Sequence, residues 1–293
     1  MLNEGIREMS KPDFSKSTVE TVRQLVPIDD VMFQKICEDR EVCEEIISAI
    51  LGEPVTVIQV VSQESIGNLQ GRSVRLDCLC KLKNGVYVNV EVQKPDNDDH
   101  EARVRYNASV ITANETPKSV KFRDIARVIV IYITKFDLFH DNYPIYHIDR
   151  TVRETGKVRD DGFTEIYVNA AVKKYDSDLN RNVSDLMDLF VDRERYDIEK
   201  FPCFSKRKNT FVNTEKGEIE MCEKVENLFR EREKETILNL LFESVQDGAM
   251  KLTYAADKAG LSITEFKHQM QIKGYNYPTL EKKAAAARRS LAQ

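Results

Sequence analysis

Two carboxylates, Asp77 and Glu91, fall where the chain turns back on itself. The stretch Val74-Arg75-Leu76-Asp77-Cys78-Leu79-Cys80-Lys81-Leu82 alternates with period two, and so does Val86-Tyr87-Val88-Asn89-Val90-Glu91-Val92-Gln93 after Lys83-Asn84-Gly85. This is the pattern of a β-hairpin. A three-residue loop with Gly85 in the left-handed conformation sets Leu82 against Val86 and, counting back, Asp77 against Glu91. The apolar sets agree: Val74, Leu76, Cys78, Cys80 and Leu82 then share a face with Val86, Val88, Val90 and Val92, and a one-residue slip would separate them. The other face holds Arg75, Asp77, Glu91 and Gln93. Carboxylates paired across strands, with Cβ atoms about 5 Å apart, repel each other. A divalent cation is the simplest compensation. Mg²⁺ suits a site of one or two carboxylates with waters and a substrate phosphate, and the Val92 carbonyl adds a further hard oxygen. Such an ion polarises a phosphoryl oxygen and activates water, the chemistry of phosphodiester hydrolysis.

The elements that must position this pair are legible on either side. Helical spacing begins at Asp29, with Pro27-Ile28-Asp29-Asp30 as caps and Val31, Phe33, Ile36 and Cys37 as a stripe. A second helix over 41–51 stops at Gly52, and β-branched residues follow Pro54. Asp96-Asn97-Asp98-Asp99 opens a helix over 100–113, on which Arg103, Tyr106 and Asn107 share a face. Arg127-Val128-Ile129-Val130-Ile131-Tyr132-Ile133-Thr134 suits a strand buried on both faces, at the centre of a mixed sheet. A strand over 163–168 and a helix over 183–190 complete an α/β pattern with both hairpin and crossover connections. The last third is helical. A long helix over 218–246 precedes a helix pair within 252–273, where Gly260 and the capping box Ser262 to Glu265 outline a helix-turn-helix-like hairpin that packing alone would also explain.

Composition bounds the function. The 293 residues carry 41% hydrophobic and 32% charged residues and no Trp, which describes an ordinary water-soluble chain. No run approaches the roughly 20 apolar residues of a membrane span, and the first residues lack a signal-peptide layout, so no membrane association and a cytoplasmic location are expected. The net charge of −5 opposes nonspecific coating of nucleic acid. Local basic groups still offer phosphate contacts at Lys118, Lys121, Arg123 and Arg127, at Lys206, Arg207 and Lys208, and at Lys282, Lys283, Arg288 and Arg289, although each also reads as a solvated face. The six cysteines form no matched CxxC pairs, so zinc is not expected, and Cys78 and Cys80 read as small hydrophobes. The four histidines read as surface or packing residues.

The residues Arg75-Leu76-Asp77 and Glu91-Val92-Gln93-Lys94 resemble the core of the PD-(D/E)XK nuclease superfamily, in the branch of nuclease-family transposases related to recombination-promoting nucleases. The similarity extends to Asp30-Val31-Met32-Phe33, to the helix with Arg103 and Tyr106, to Lys135-Phe136-Asp137-Leu138-Phe139, to Asp161-Gly162 and to Ile166-Tyr167-Val168-Asn169, covering roughly 28–190. It implies a restriction-endonuclease-like core, αβββαβ with a mixed sheet, carrying a C-terminal helical extension. The expected organisation is a flexible arm over 1–21, a nuclease-like domain over 22–200, and a helical region with a basic tail over 201–293. It also implies that Asp77 and Glu91, with Val92, hold Mg²⁺, with Mn²⁺ able to substitute. Where the superfamily has a lysine that positions or activates water, this chain has Gln93, as its branch commonly does. Gln orients water but supplies no positive charge, so Arg75 or Arg103 must. Lys94 points to the other strand face. Arg75, Arg103 and Tyr106 are the expected substrate contacts.

The resemblance implies a Mg²⁺-dependent DNA endonuclease with a transposition or recombination role. The alternative is a catalytically weak or inactive nuclease-fold module that binds DNA or a protein partner. A third reading is a structural homo-oligomer built on the long helix from Glu218.

Overall fold

The computed structural model describes residues 14–66, 74–96 and 99–277. They divide into two compact units, the first made of the described residues up to 224 and the second of residues 225–277. The first contains helices α1 (Lys16–Gln24), α2 (Asp30–Ile36) and α3 (Arg40–Leu51), then strands β1 (Val57–Ile66), β2 (Val74–Leu82) and β3 (Tyr87–Gln93). Helix α4 (His100–Glu115) and strand β4 (Val128–Thr134) follow, completing the expected αβββαβ order. After them come β5 (Ile145–Ile148), a small hairpin of β6 (Thr151–Val152) and β7 (Lys157–Val158), β8 (Phe163–Asn169), α5 (Asp178–Val191) and α6 (Pro202–Asn213).

The six-stranded sheet runs β1-β2-β3-β4-β8-β5. β1, β2 and β3 pair antiparallel, whereas β4 lies parallel to both β3 and β8. That inner position explains why β4 is almost wholly apolar. On one face α4 buries Val104, Ala108 and Ile111 against Leu79, Tyr87, Val128, Val130, Tyr132 and Tyr167. Each fully buried large apolar side chain contributes roughly 1.5–3 kcal/mol. On the other face α2 and α3 lie against β1 and β2, and α3 against α5 and α6. The Asp39 side chain caps α3 by accepting from the Glu41 N–H, and Gly52 ends it at φ 72°, a left-handed position that favours glycine.

The hairpin register is the expected one. Gly85 adopts φ 86°, Leu82 N–H donates to Val86 O at 2.8 Å, and the ladder pairs Lys81 with Tyr87 through Cys78 with Val90. Beyond Cys78 the alternation differs from expectation: Val74 and Leu76 join the buried cluster of Leu79, Tyr87 and α4 instead of sharing a face with Cys78 and Cys80. Two expected caps also do other work. Asp29 accepts from the Val26 N–H and from Lys94, and Asp99 from Arg103, and neither side chain caps its helix. A short acidic side chain is diverted whenever a cation or free N–H lies nearer than the helix terminus.

α6 and the start of α7 (Glu215–Gln246) touch so closely that a Cβ on Gly217 would lie 2.0 Å from Thr210 O and 2.7 Å from Phe211 Cα. Backbone cannot yield as a side-chain tip does. Gly217→Ala is therefore expected to lower stability by roughly 1–3 kcal/mol, read as a fall in the urea midpoint.

In the second unit, Leu241, Phe242 and Val245 of α7 pack with Ala255 and Ala256 of α8 (Leu252–Lys258) and with Phe266 and Met270 of α9 (Ile263–Ile272). The Ser262–Glu265 capping box opens α9, and Gly260 turns the chain at φ 65°. Among the described residues no helix is long and apolar enough to cross a membrane. Of the arm expected over 1–21, residues 1–13 lie outside the described residues and most of the remainder is α1.

Candidate metal centre

The two carboxylates meet where β2 and β3 part. The ladder stops at Cys78–Val90, so Asp77 and Glu91, next in register, are not bridged as an ordinary pair. The Asp77 carboxylate takes the vacant ladder position: its Oδ2 accepts from the Val92 N–H at 3.2 Å, and its Oδ1 accepts from Gln34 Nε2 of α2 at 3.1 Å.

Glu91 is only 5% exposed. Its Oε1 accepts from Asn89 Nδ2 at 2.9 Å and from Asn107 Nδ2 of α4 at 3.4 Å. Burial, then the neighbouring Asp77 charge, push Glu91 up to about 8, while Asn89 and Arg103 pull it down. Burial also raises Asp77 to about 6, aided by Asp30 on α2 and opposed by the Val92 N–H, Gln34 and Arg75. Burial and mutual repulsion thus make both acids resist ionising, and a divalent cation between them would reverse that preference.

The donor set fits Mg²⁺. Asp77 and Glu91 offer hard carboxylate oxygens with the Val92 backbone alongside, and no soft ligand competes. Asn89 is fully buried with its Oδ1 unpartnered among the described residues, yet its N–H is committed to Glu91. An orphaned buried acceptor costs roughly 1–3 kcal/mol. The amide is thus turned so that its Nδ2 holds Glu91, at the expense of its own oxygen.

Gln93 Nε2 donates to Pro95 O at 2.8 Å, and its Oε1 accepts from Arg103 Nη1 at 3.4 Å. Arg103 thus sets a positive charge beside Gln93, and Asp99 accepts from it on the other side at 3.3 Å. Arg75 is exposed on β2, two residues before Asp77. Tyr106 is half-buried and packs against the core cluster. Lys94 points away and pairs with Asp29 at 2.6 Å.

The sequence reading did not place several neighbours at the site. Gln34 is buried against Asp77, and Asn89 and Asn107 hold Glu91. His100 is buried, with Nε2 3.0 Å from Asp96 Oδ1 and Nδ1 2.9 Å from the hydroxyl of Tyr132, the residue paired with Glu91 across β3 and β4. Asn107 shared the expected helix face with Arg103, the one available signal; the others depend on contacts between distant segments. The basic groups mostly have other roles. Lys208 is buried, Arg207 donates to Lys35 O, and Arg127 pairs with Asp160. The group at Lys282, Lys283, Arg288 and Arg289 lies outside the described residues.

The mixed sheet, with acids on two diverging strands and a helix supplying their polar neighbours, defines an α/β protein of the nuclease fold. The model for PD-(D/E)XK nuclease family transposase matches residues 27–239, and the chain belongs to that family. No curated protein and no solved structure matches it.

Proposed function

We propose that the chain is a divalent-metal-dependent endodeoxyribonuclease that hydrolyses phosphodiester bonds in a transposition- or recombination-associated role. The observation that carries this reading is the convergence of Asp77 and Glu91, both resistant to ionisation, at the parting of β2 and β3. Mg²⁺ or Mn²⁺, when bound, supplies the Lewis acidity that phosphate cleavage requires. Asp77, Glu91 and the Val92 backbone hold the ion. Gln93 retains one amide proton and one acceptor position beyond its present bonds, enough to orient a water. Arg103 and Arg75 bind the DNA phosphates, and Tyr106 supports the substrate-side helix from within. Asn89, Asn107 and Gln34 fix the carboxylates before DNA arrives, so little reorganisation remains for the reaction.

Plasmid DNA incubated with purified protein and Mg²⁺ tests the proposal. Nicking that disappears in Asp77→Ala supports it; equal nicking by both sinks it. Calorimetry separates the reading of a binding module without turnover, in which DNA binds but no Mg²⁺ heat depends on Glu91.

Gln93→Lys supplies a sharper expectation. A lysine there restores the superfamily pattern but sets an ammonium against Arg103, and like charges about 4 Å apart cost on the order of 1–4 kcal/mol between water and a protein surface. Cleavage is expected to fall about tenfold, in single-turnover assays, instead of rising.

A further inference from the structure

Four of the six cysteines gather in the core of the first unit, from three separate elements. Cys37 closes α2, Cys43 lies four residues into α3, and Cys78 and Cys80 project from β2. All four are buried free thiols. Cys43 Sγ lies 3.7 Å from Cys78 Sγ, which lies 3.7 Å from Cys80 Sγ, and the sulfurs of Cys37, Cys43 and Cys78 all fall within 4.8 Å of one another. An ion bound tetrahedrally by sulfurs at about 2.3 Å holds those sulfurs about 3.8 Å apart. The spacings of five residues between Cys37 and Cys43 and one between Cys78 and Cys80 hide the cluster from a search for paired CxxC motifs.

We propose that Cys37, Cys43 and Cys78, with Cys80 at the edge beside Cys78, form a thiolate site for a soft divalent cation of the zinc class. The cluster offers only sulfur, which selects such an ion, whereas Asp77 and Glu91 offer only hard oxygen and select Mg²⁺. The chain therefore keeps two metals apart by ligand chemistry. Negative charge on the sulfurs is partly offset by the positive end of the α3 dipole, where Cys43 sits. Binding replaces each ligating S–H by a metal–sulfur bond and releases its proton to solvent, with no change of oxidation state. The ion would tie the α2–α3 corner to β2 one residue from Asp77, so its role is to fix the strand that carries that carboxylate. Because the sulfurs are buried, the ion enters during folding.

The full-length protein, unfolded under reducing conditions with chelator and refolded with Co²⁺, tests the site by its spectrum. One equivalent of Co²⁺ per chain is expected to give intense sulfur-to-cobalt charge-transfer bands and tetrahedral d–d bands, both lost when Zn²⁺ is added. Cys43→Ala and Cys78→Ala should lose the bands, and Asp77→Ala should keep them. The reading concerns the wild-type spectrum, so a variant that fails to fold does not obscure it. Refolded wild-type protein without these bands, whether its thiols titrate as four small hydrophobes or have joined as disulfides, overturns the proposal.

Discussion

Glu91→Gln is expected to abolish cleavage and, at the same time, to stabilise the metal-free protein at pH 8. The loss of activity follows from removing one of two anionic ligands at a preorganised charged site, a change of at least about 10²–10³-fold. The gain in stability follows from proton linkage. Glu91 is held near pH 8 in the folded chain, against an ordinary value of 4.5. As pH rises, the unfolded chain releases this proton first, so between about 4.5 and 8 the folded state binds more protons and stability falls. Asp77 acts the same way between 3.8 and about 6. For Glu91 the accumulated cost at pH 8 is a few kcal/mol, and glutamine, which Asn89 and Asn107 can still hold through its oxygen, does not incur it. Melting curves in EDTA at pH 5 and pH 8 check the sign. The variant should match the wild type closely at pH 5 and exceed it at pH 8, and saturating Mg²⁺ should narrow the gap by stabilising only the ionised wild-type site. A stability difference independent of pH would mean that Glu91 titrates normally and that the two acids are not a strained pair.

The same site shows which features of the fold are legible in the sequence. The hairpin register follows from two alternating runs and the three residues between them, and β4 from an apolar run bounded by turns, because each pattern is local. The departure of β2 before Cys78 is not local: there Asp77 bonds Gln34, 43 residues earlier, and the Val92 N–H in place of a ladder partner. Val74 and Leu76 consequently pack with α4, against the simple period-two reading. His100 is a similar case, since nothing near it in sequence reveals that Tyr132 lies at its side. α6 falls in the region expected to be helical from 201 on, but its bounds and buried face are not legible, for a different reason. Its inward residues Phe204, Lys208 and Phe211 have helical spacing, but the middle one is a lysine, and Lys206-Arg207-Lys208 reads instead as an exposed basic group.

That lysine supports the second large expectation: Lys208→Met should destabilise the protein by about 3–5 kcal/mol. Lys208 is 0% exposed, and its Nζ donates to Leu189 O at 2.9 Å, to Arg195 O at 2.7 Å and to Asp192 O, gathering carbonyls left without partners at the end of α5. Burial lowers its pKa to about 8, against the pull of Asp192 and Glu194, so at neutral pH it remains an ammonium with three protons for three carbonyls. Methionine fills the volume but leaves all three acceptors buried and unbonded. Arginine should not rescue the variant, because a planar guanidinium cannot direct three donors at converging carbonyls from that position. For a chain of this size the loss corresponds to a melting temperature lower by roughly 10 °C, and a variant melting within two or three degrees of the wild type would contradict it. The effect should reach the metal centre as well. Glu45 of α3 accepts from the Cys203 and Phe204 N–H groups at the start of α6, and Arg207 donates to Lys35 O at the end of α2. α6 therefore braces both helices beneath the sheet. Loosening it frees α2, and with it the Gln34 side chain that holds Asp77, so Lys208→Met should weaken Mg²⁺ binding at temperatures well below its own melting transition.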